Sequence, residues 1–168
     1  MVKKIFLYAV TFVFLVGAQS LLAEEEDYFD NQMAIISDSL KNNPNDAQAY
    51  FERGEIYLNY GYIDQAILDY NKAIELNPDM IGAYIGRAAV YEQKGNIEQA
   101  ILDYSKAIEK DSSLIYAYEG RAALYQKQGE IDKSQQDIKR VKEIEASEEY
   151  KIKTQKVAQD MQKALGIK

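Results

Sequence analysis

Three consecutive 34-residue blocks, Ala47–Met80, Ile81–Leu114 and Ile115–Glu148, carry one pattern, and the first two agree at 16 of 34 positions. Tyr50, Tyr84 and Tyr118 recur at the period, and so do Tyr57, Tyr91 and Tyr125 seven residues further on. Arg53, Arg87 and Arg121 precede the second Tyr of each block by four, and Gly61, Gly95 and Gly129 follow it by four. A period of this length belongs to a helix–turn–helix array, whose units cannot bury their apolar faces alone and must stack. The expected product is a curved scaffold that holds a partner.

Within each block the apolar spacing is helical. In the second, Ala83, Tyr84, Arg87, Ala88 and Tyr91 share one face of a first helix. Gly95-Asn96 ends it, because glycine adopts the left-handed conformation without a side-chain clash. Ile97, Ala100, Ile101, Tyr104, Ala107 and Ile108 form the apolar stripe of a second helix. The small residues Gly54, Ala66, Ala73, Ala88, Ala100 and Ala107 are expected where paired helices come closest. Each repeated Arg is followed sixteen residues later by an Asp, giving the pairs Arg53–Asp69, Arg87–Asp103 and Arg121–Asp137. A planar guanidinium meeting a carboxylate between the two helices would be structural. On that reading Arg87→Leu folds at least as well as Arg87→Asp.

Composition removes several functional classes. The net charge of −7 leaves no basic stripe to neutralise phosphates, which disfavours nucleic acid as a partner. Absence of His removes the commonest general base and metal ligand. No glycine-rich phosphate loop, metal-ligand cluster or nucleophile–base pair is present, so neither catalysis nor a cofactor is expected.

The start of the chain reads as a signal peptide over residues 1–23. Lys3 and Lys4 supply the positive start, Ile5–Val16 is apolar, and Ala18-Gln19-Ser20 offers small residues for cleavage. Export to the periplasm or beyond is the expectation. The alternative is an uncleaved anchor in the inner membrane, since Ile5–Leu22 reaches the lower edge of a membrane span.

The blocks resemble the tetratricopeptide repeat (TPR) family, whose signature is aromatic, Leu, Gly or Ala, Tyr, Ala, aromatic, Ala, Pro. The first block supplies Tyr50, Arg53, Gly54, Tyr57, Ala66, Tyr70, Ala73 and Pro78. The second supplies Tyr84, Arg87, Ala88, Tyr91, Ala100, Tyr104, Ala107 and Ser112, and the third Tyr118, Arg121, Ala122, Tyr125, Ser134, Ile138, Val141 and Ala146. Arg replaces the usual Leu throughout, and the third block decays in its second helix. The resemblance implies an all-α solenoid of tandem helix–turn–helix repeats: TPR 1 over 47–80, TPR 2 over 81–114 and TPR 3 over 115–148. Residues 24–46 hold an N-terminal helix, Tyr28–Lys41, with Phe29, Met33, Ile36 and Leu40 on one side; its offset from Asn77-Pro78 marks it as the second helix of an eroded unit. Residues 149–168 hold a C-terminal capping helix, with Tyr150, Val157, Met161, Ala164 and Leu165 on a narrow stripe, or alternatively run on from the preceding helix. Eight of the tyrosines fall on signature positions and are expected in the core, where Tyr91→Ala would cost about 3–5 kcal/mol; Tyr60, Tyr62 and Tyr116 are expected to be exposed.

In the family, first helices line a concave groove that carries ligand contacts. The matching positions here include Gln48, Phe51, Glu55 and Leu58, then Ile85, Ala89 and Glu92, then Tyr116, Glu119 and Gln126. The clamp that some relatives use for acidic chaperone tails would fall on Phe51, Glu55, Gly86, Tyr116 and Gly120, none of which suits it. The strip is apolar and edged with acid, which fits a protein or peptide segment with apolar side chains and some Lys or Arg. The expected function is a non-catalytic interaction scaffold outside the cytoplasm. The alternative is a structural subunit of a multiprotein envelope assembly, docking through its edge or C-terminal helix.

Overall fold

The computed structural model describes residues 28–165, so the leader over 1–23 and the acidic run that follows it lie outside the described residues. Eight helices and no strand occupy the described residues. They are α1 (residues 28–42), α2 (Ala47–Asn59), α3 (Ile63–Leu76), α4 (Ile81–Gln93), α5 (Ile97–Lys110), α6 (Ile115–Lys127), α7 (Ile131–Ala146) and α8 (Glu148–Ala164). None of them is long and apolar enough to cross a membrane. Two compact units divide the chain after Leu76.

The first unit packs α1 against the α2–α3 pair. Asp46 caps α2 by accepting from the backbone N–H groups of Gln48 and Ala49 at 3.0 and 3.1 Å. Ile36 and Leu40 of α1 are buried with Ala49, and Tyr50 and Ile56 pack on them. The Phe29 ring lies 4.7 Å from Tyr60 and 5.3 Å from Tyr62. Gly61 ends the α2 turn at φ 77°, in the region glycine enters without strain.

In the second unit the pairs α4–α5 and α6–α7 stack through α5 and α6. Ala83, Ala88, Ala100, Ala107 and Ala117 are fully buried, and these small side chains let the helix backbones approach closely. The Tyr104 ring occupies the space a side chain at Gly120 would need: a Cβ there would sit 2.6 Å from Tyr104 Cζ. In the first unit the Tyr70 ring packs against Gly54 of its own repeat, 2.9 Å from where a Cβ would be.

All three Arg–Asp pairs form, each with two hydrogen bonds. Arg53 Nε and Nη2 lie 2.7 Å from the Asp69 carboxylate. The corresponding distances are 2.8 and 2.7 Å for Arg87–Asp103, and 2.9 and 2.8 Å for Arg121–Asp137. The aspartates are buried, and each guanidinium lies near the ring of a signature Tyr, as Arg87 does at 5.8 Å over Tyr84. The hydrogen bond and charge of Asp69 raise the Arg53 pKa. For Arg87, burial pulls the pKa down and Asp103 more than offsets it. Removing one partner would strand a buried charge.

Three expectations are corrected. Tyr50, Tyr57, Tyr91 and Tyr125 are half-buried, and the full-depth positions belong to Tyr70 and Tyr104, 0% and 1% exposed. Ile138 replaces the aromatic in the third block and is 44% exposed, because it lacks the following helix that covers Tyr104. The continuous-helix alternative fails at Ser147, whose ψ of 142° breaks the chain into α7 and α8. Tyr150 packs on the Tyr118, Val141 and Ile144 cluster, and residues 151–165 of α8 are exposed.

Two stability predictions follow from this packing, both read by urea denaturation. Tyr104→Ala should cost about 3–5 kcal/mol, and Tyr91→Ala clearly less. Arg87→Leu should cost about 3–5 kcal/mol by leaving Asp103 unpaired, Arg87→Asp still more, and Arg87→Leu with Asp103→Leu should recover most of the loss. Equal damage from all three would refute the strut.

Candidate functional site

The first helices α2, α4 and α6 carry the lining positions. In the first unit Gln48 is exposed and donates from Nε2 to Glu52 at 2.9 Å. Phe51, Glu55 and Leu58 are half-buried. The Phe51 ring lies 6.1 Å from Tyr70, and the Tyr70 hydroxyl donates to Glu55. Burial first, then Glu55, raises the Tyr70 pKa. The Glu55 carboxylate is therefore held by the protein's own core tyrosine.

In the second unit Ile85 and Ala89 are half-buried on α4, while Glu119, Ala123 and Gln126 are exposed on α6. Glu92 is half-buried and forms an ion pair with Lys127 at 2.9 Å. Tyr116 is exposed, edge-on to Tyr104 with ring centroids 6.2 Å apart and an interplanar angle of 72°. Burial, then the charge and hydrogen bond of the Tyr116 hydroxyl, raise the Tyr104 pKa above its ordinary 10.0.

The acidic edge expected from sequence is thus largely satisfied internally. Glu119 is the lining acid with neither an ion-pair nor a hydrogen-bond partner among the described residues. Sequence reasoning missed the contribution of the second helices, Tyr70 and Tyr104, and the pairing of Lys127 with Glu92. The available signal was a core Tyr fifteen residues after Glu55, a spacing that brings the second helix back onto the first. What the second unit offers is an aromatic and small-residue strip with hydroxyl groups and one uncompensated carboxylate. Among the described residues no group of three or more acids could hold a metal ion.

Comparison with known proteins follows the same geometry. Sequence profiles of the tetratricopeptide repeat match residues 47–80, and a TPR repeat profile matches residues 91–129. The chain is a tetratricopeptide repeat protein, an all-α TPR solenoid. A crystal structure of MamA is similar at 25% identity and TM-score 0.65, covering 70% of this chain; the chain spans 64% of that protein's length. MamA from Desulfovibrio magneticus RS-1, residues 41 to the end, aligns at 20% identity and TM-score 0.65 over 76% of this chain and 71% of its own. The second TPR of Spaghetti (RPAP3), bound to the HSP90 peptide SRMEEVD, aligns at 24% identity and TM-score 0.57 over 63% of this chain and 98% of its own. Both of these show likeness of fold. No curated protein matches the chain.

The raised Tyr104 pKa sets a pH dependence. A folded value above the unfolded one stabilises the fold fully below about pH 10 and is lost as pH rises through the folded value. Tyr104→Phe should therefore lose less stability than the parent chain between about pH 9 and pH 11 in urea titrations. Parallel losses would show that the Tyr104 hydroxyl carries no such linkage.

Proposed function

We propose that this chain is a non-catalytic scaffold working outside the cytoplasm, in the periplasm or secreted, and that its first-helix face holds a segment of a protein partner. The single observation that carries the reading is the second unit's open strip: exposed Tyr116 and Ala123 and half-buried Ile85 and Ala89, beside the uncompensated Glu119. A flat aromatic ring with small neighbours admits an apolar anchor, and a few such anchors dominate affinity. The carboxylate favours Lys or Arg in the segment and disfavours acidic tails, in contrast to the acidic peptide bound by the Spaghetti domain. Location outside the cytoplasm rests on Lys3, Lys4 and the Ile5–Val16 run.

One observation favours a second reading, a subunit of an envelope assembly that docks through its edge or last helix. It is the unpartnered stripe of α8, where Val157 and Met161 are 58% and 59% exposed.

Cross-linking in intact cells followed by mass spectrometry of the captured partner tests the first reading. Glu119→Lys should reduce capture about tenfold or more, as loss of a favourable charge contact with gain of a repulsive one predicts. Undiminished capture by Glu119→Lys together with Tyr116→Ala would remove the strip from consideration.

A further inference from the structure

The stacking interface of the second unit has a defined seat and a defined occupant. Tyr104 of α5 is covered by α6 at Gly120, with Tyr116 edge-on beside it. Advanced by one repeat of 34 residues, the seat falls on Ile138 of α7, and its covering residues fall on Tyr150 and Thr154 of α8. That seat is open. Ile138 and, one helical stretch earlier, Ile131 are 44% and 49% exposed.

Helix α8 keeps the face that such a seat needs. Tyr150, Thr154, Val157, Met161 and Ala164 follow alternating steps of four and three, which place them along one side of a helix. The opposite face, which would meet a second helix of its own, carries Gln155, Lys156 and Gln159 where complete repeats carry Arg, a small residue and Tyr. The chain has retained the half of the repeat that looks backward and lost the half that looks forward.

Within one chain only the first turn of α8 meets α7, and Ile138 and the stripe beyond Tyr150 stay exposed. Ser147 fixes the turn: its Oγ donates to the Ile144 carbonyl at 2.7 Å and accepts from the Tyr150 N–H at 3.2 Å. Tyr150 is anchored on Val141 and Ile144, and residues 151–165 of α8 are all exposed. The same capped turn thus holds both surfaces apart and open.

We propose that the occupant is a second copy of this chain, with α8 of each copy laid across the open α7 edge of the other. The exchange continues the α5–α6 stacking interface across two molecules, and a self-complementary patch of this kind closes as a two-fold dimer. The proposal is independent of the first-helix strip and names the partner for docking through the last helix.

The chain contains no Cys, so single thiols report contacts cleanly. The full chain, as cells produce it, should show twice the monomer mass by light scattering. A chain bearing Ile138→Cys mixed with one bearing Val157→Cys should cross-link through a short bifunctional thiol reagent. Val157→Asp with Met161→Asp, at exposed positions, should return the mass to that of a monomer and leave the melting of the array unchanged. A monomer at every concentration would overturn the proposal. So would cross-links joining only position 157 to position 157, or cross-links confined within single chains that carry both cysteines. Retained binding of a different protein by α8 in a monomeric chain would preserve the edge-docking reading while refuting self-exchange.

Discussion

A two-helix unit of this kind cannot bury both of its sides, and that constraint organises the second unit. There α6 shares one side with its own second helix, α7, and the other with the second helix before it, α5. The contact is close enough that Gly120 has no room for a side chain beside Tyr104. Burial of large tyrosines and fully enclosed alanines supplies the apolar drive. The same arithmetic makes the last pair incomplete: Ile138 sits where Tyr104 sits and remains 44% exposed among the described residues.

The Arg–Asp pairs add geometry to this apolar packing. A bidentate guanidinium fixes both the spacing and the rotation of the two helices, which an alanine seam alone leaves free to slide. Burying the ions costs desolvation that the pairing mainly offsets, so their value lies in register more than in net stability. Aromatic rings beside Arg53, Arg87 and Arg121 repeat the arrangement in each block. A Leu at the family's usual position would pack as well without specifying an angle.

Much of this was legible in the residues. The period located the helices, and the sixteen-residue offset located the struts, because both depend on spacing along one chain. Glycine at Gly61, Gly95 and Gly129 marked the turns for a local reason, its tolerance of φ near 75°. The depth of the tyrosines was not legible. Tyr91 and Tyr104 are alike in sequence pattern, but Tyr104 lies between two helices of successive repeats and Tyr91 has one side in solvent. The candidate strip was half legible for a similar reason. Its positions came from the first helices, whereas its electrostatics come from groups far along the chain: Tyr70 on Glu55 and Lys127 on Glu92.

That internal satisfaction changes what the strip can recognise. A carboxylate already accepting from a buried phenol or paired with an ammonium offers little further attraction, because a new cation must compete for the same lone pairs. Glu119 faces no such competition among the described residues, and Tyr116 spends its hydroxyl on Tyr104 while leaving its ring to solvent. On the proposed reading, selectivity in the second unit falls on α6, where one charge and one aromatic face lie a single helical turn apart. A partner segment that places a basic residue one turn from an apolar one meets both, and an acidic segment meets repulsion at the position where attraction would be strongest.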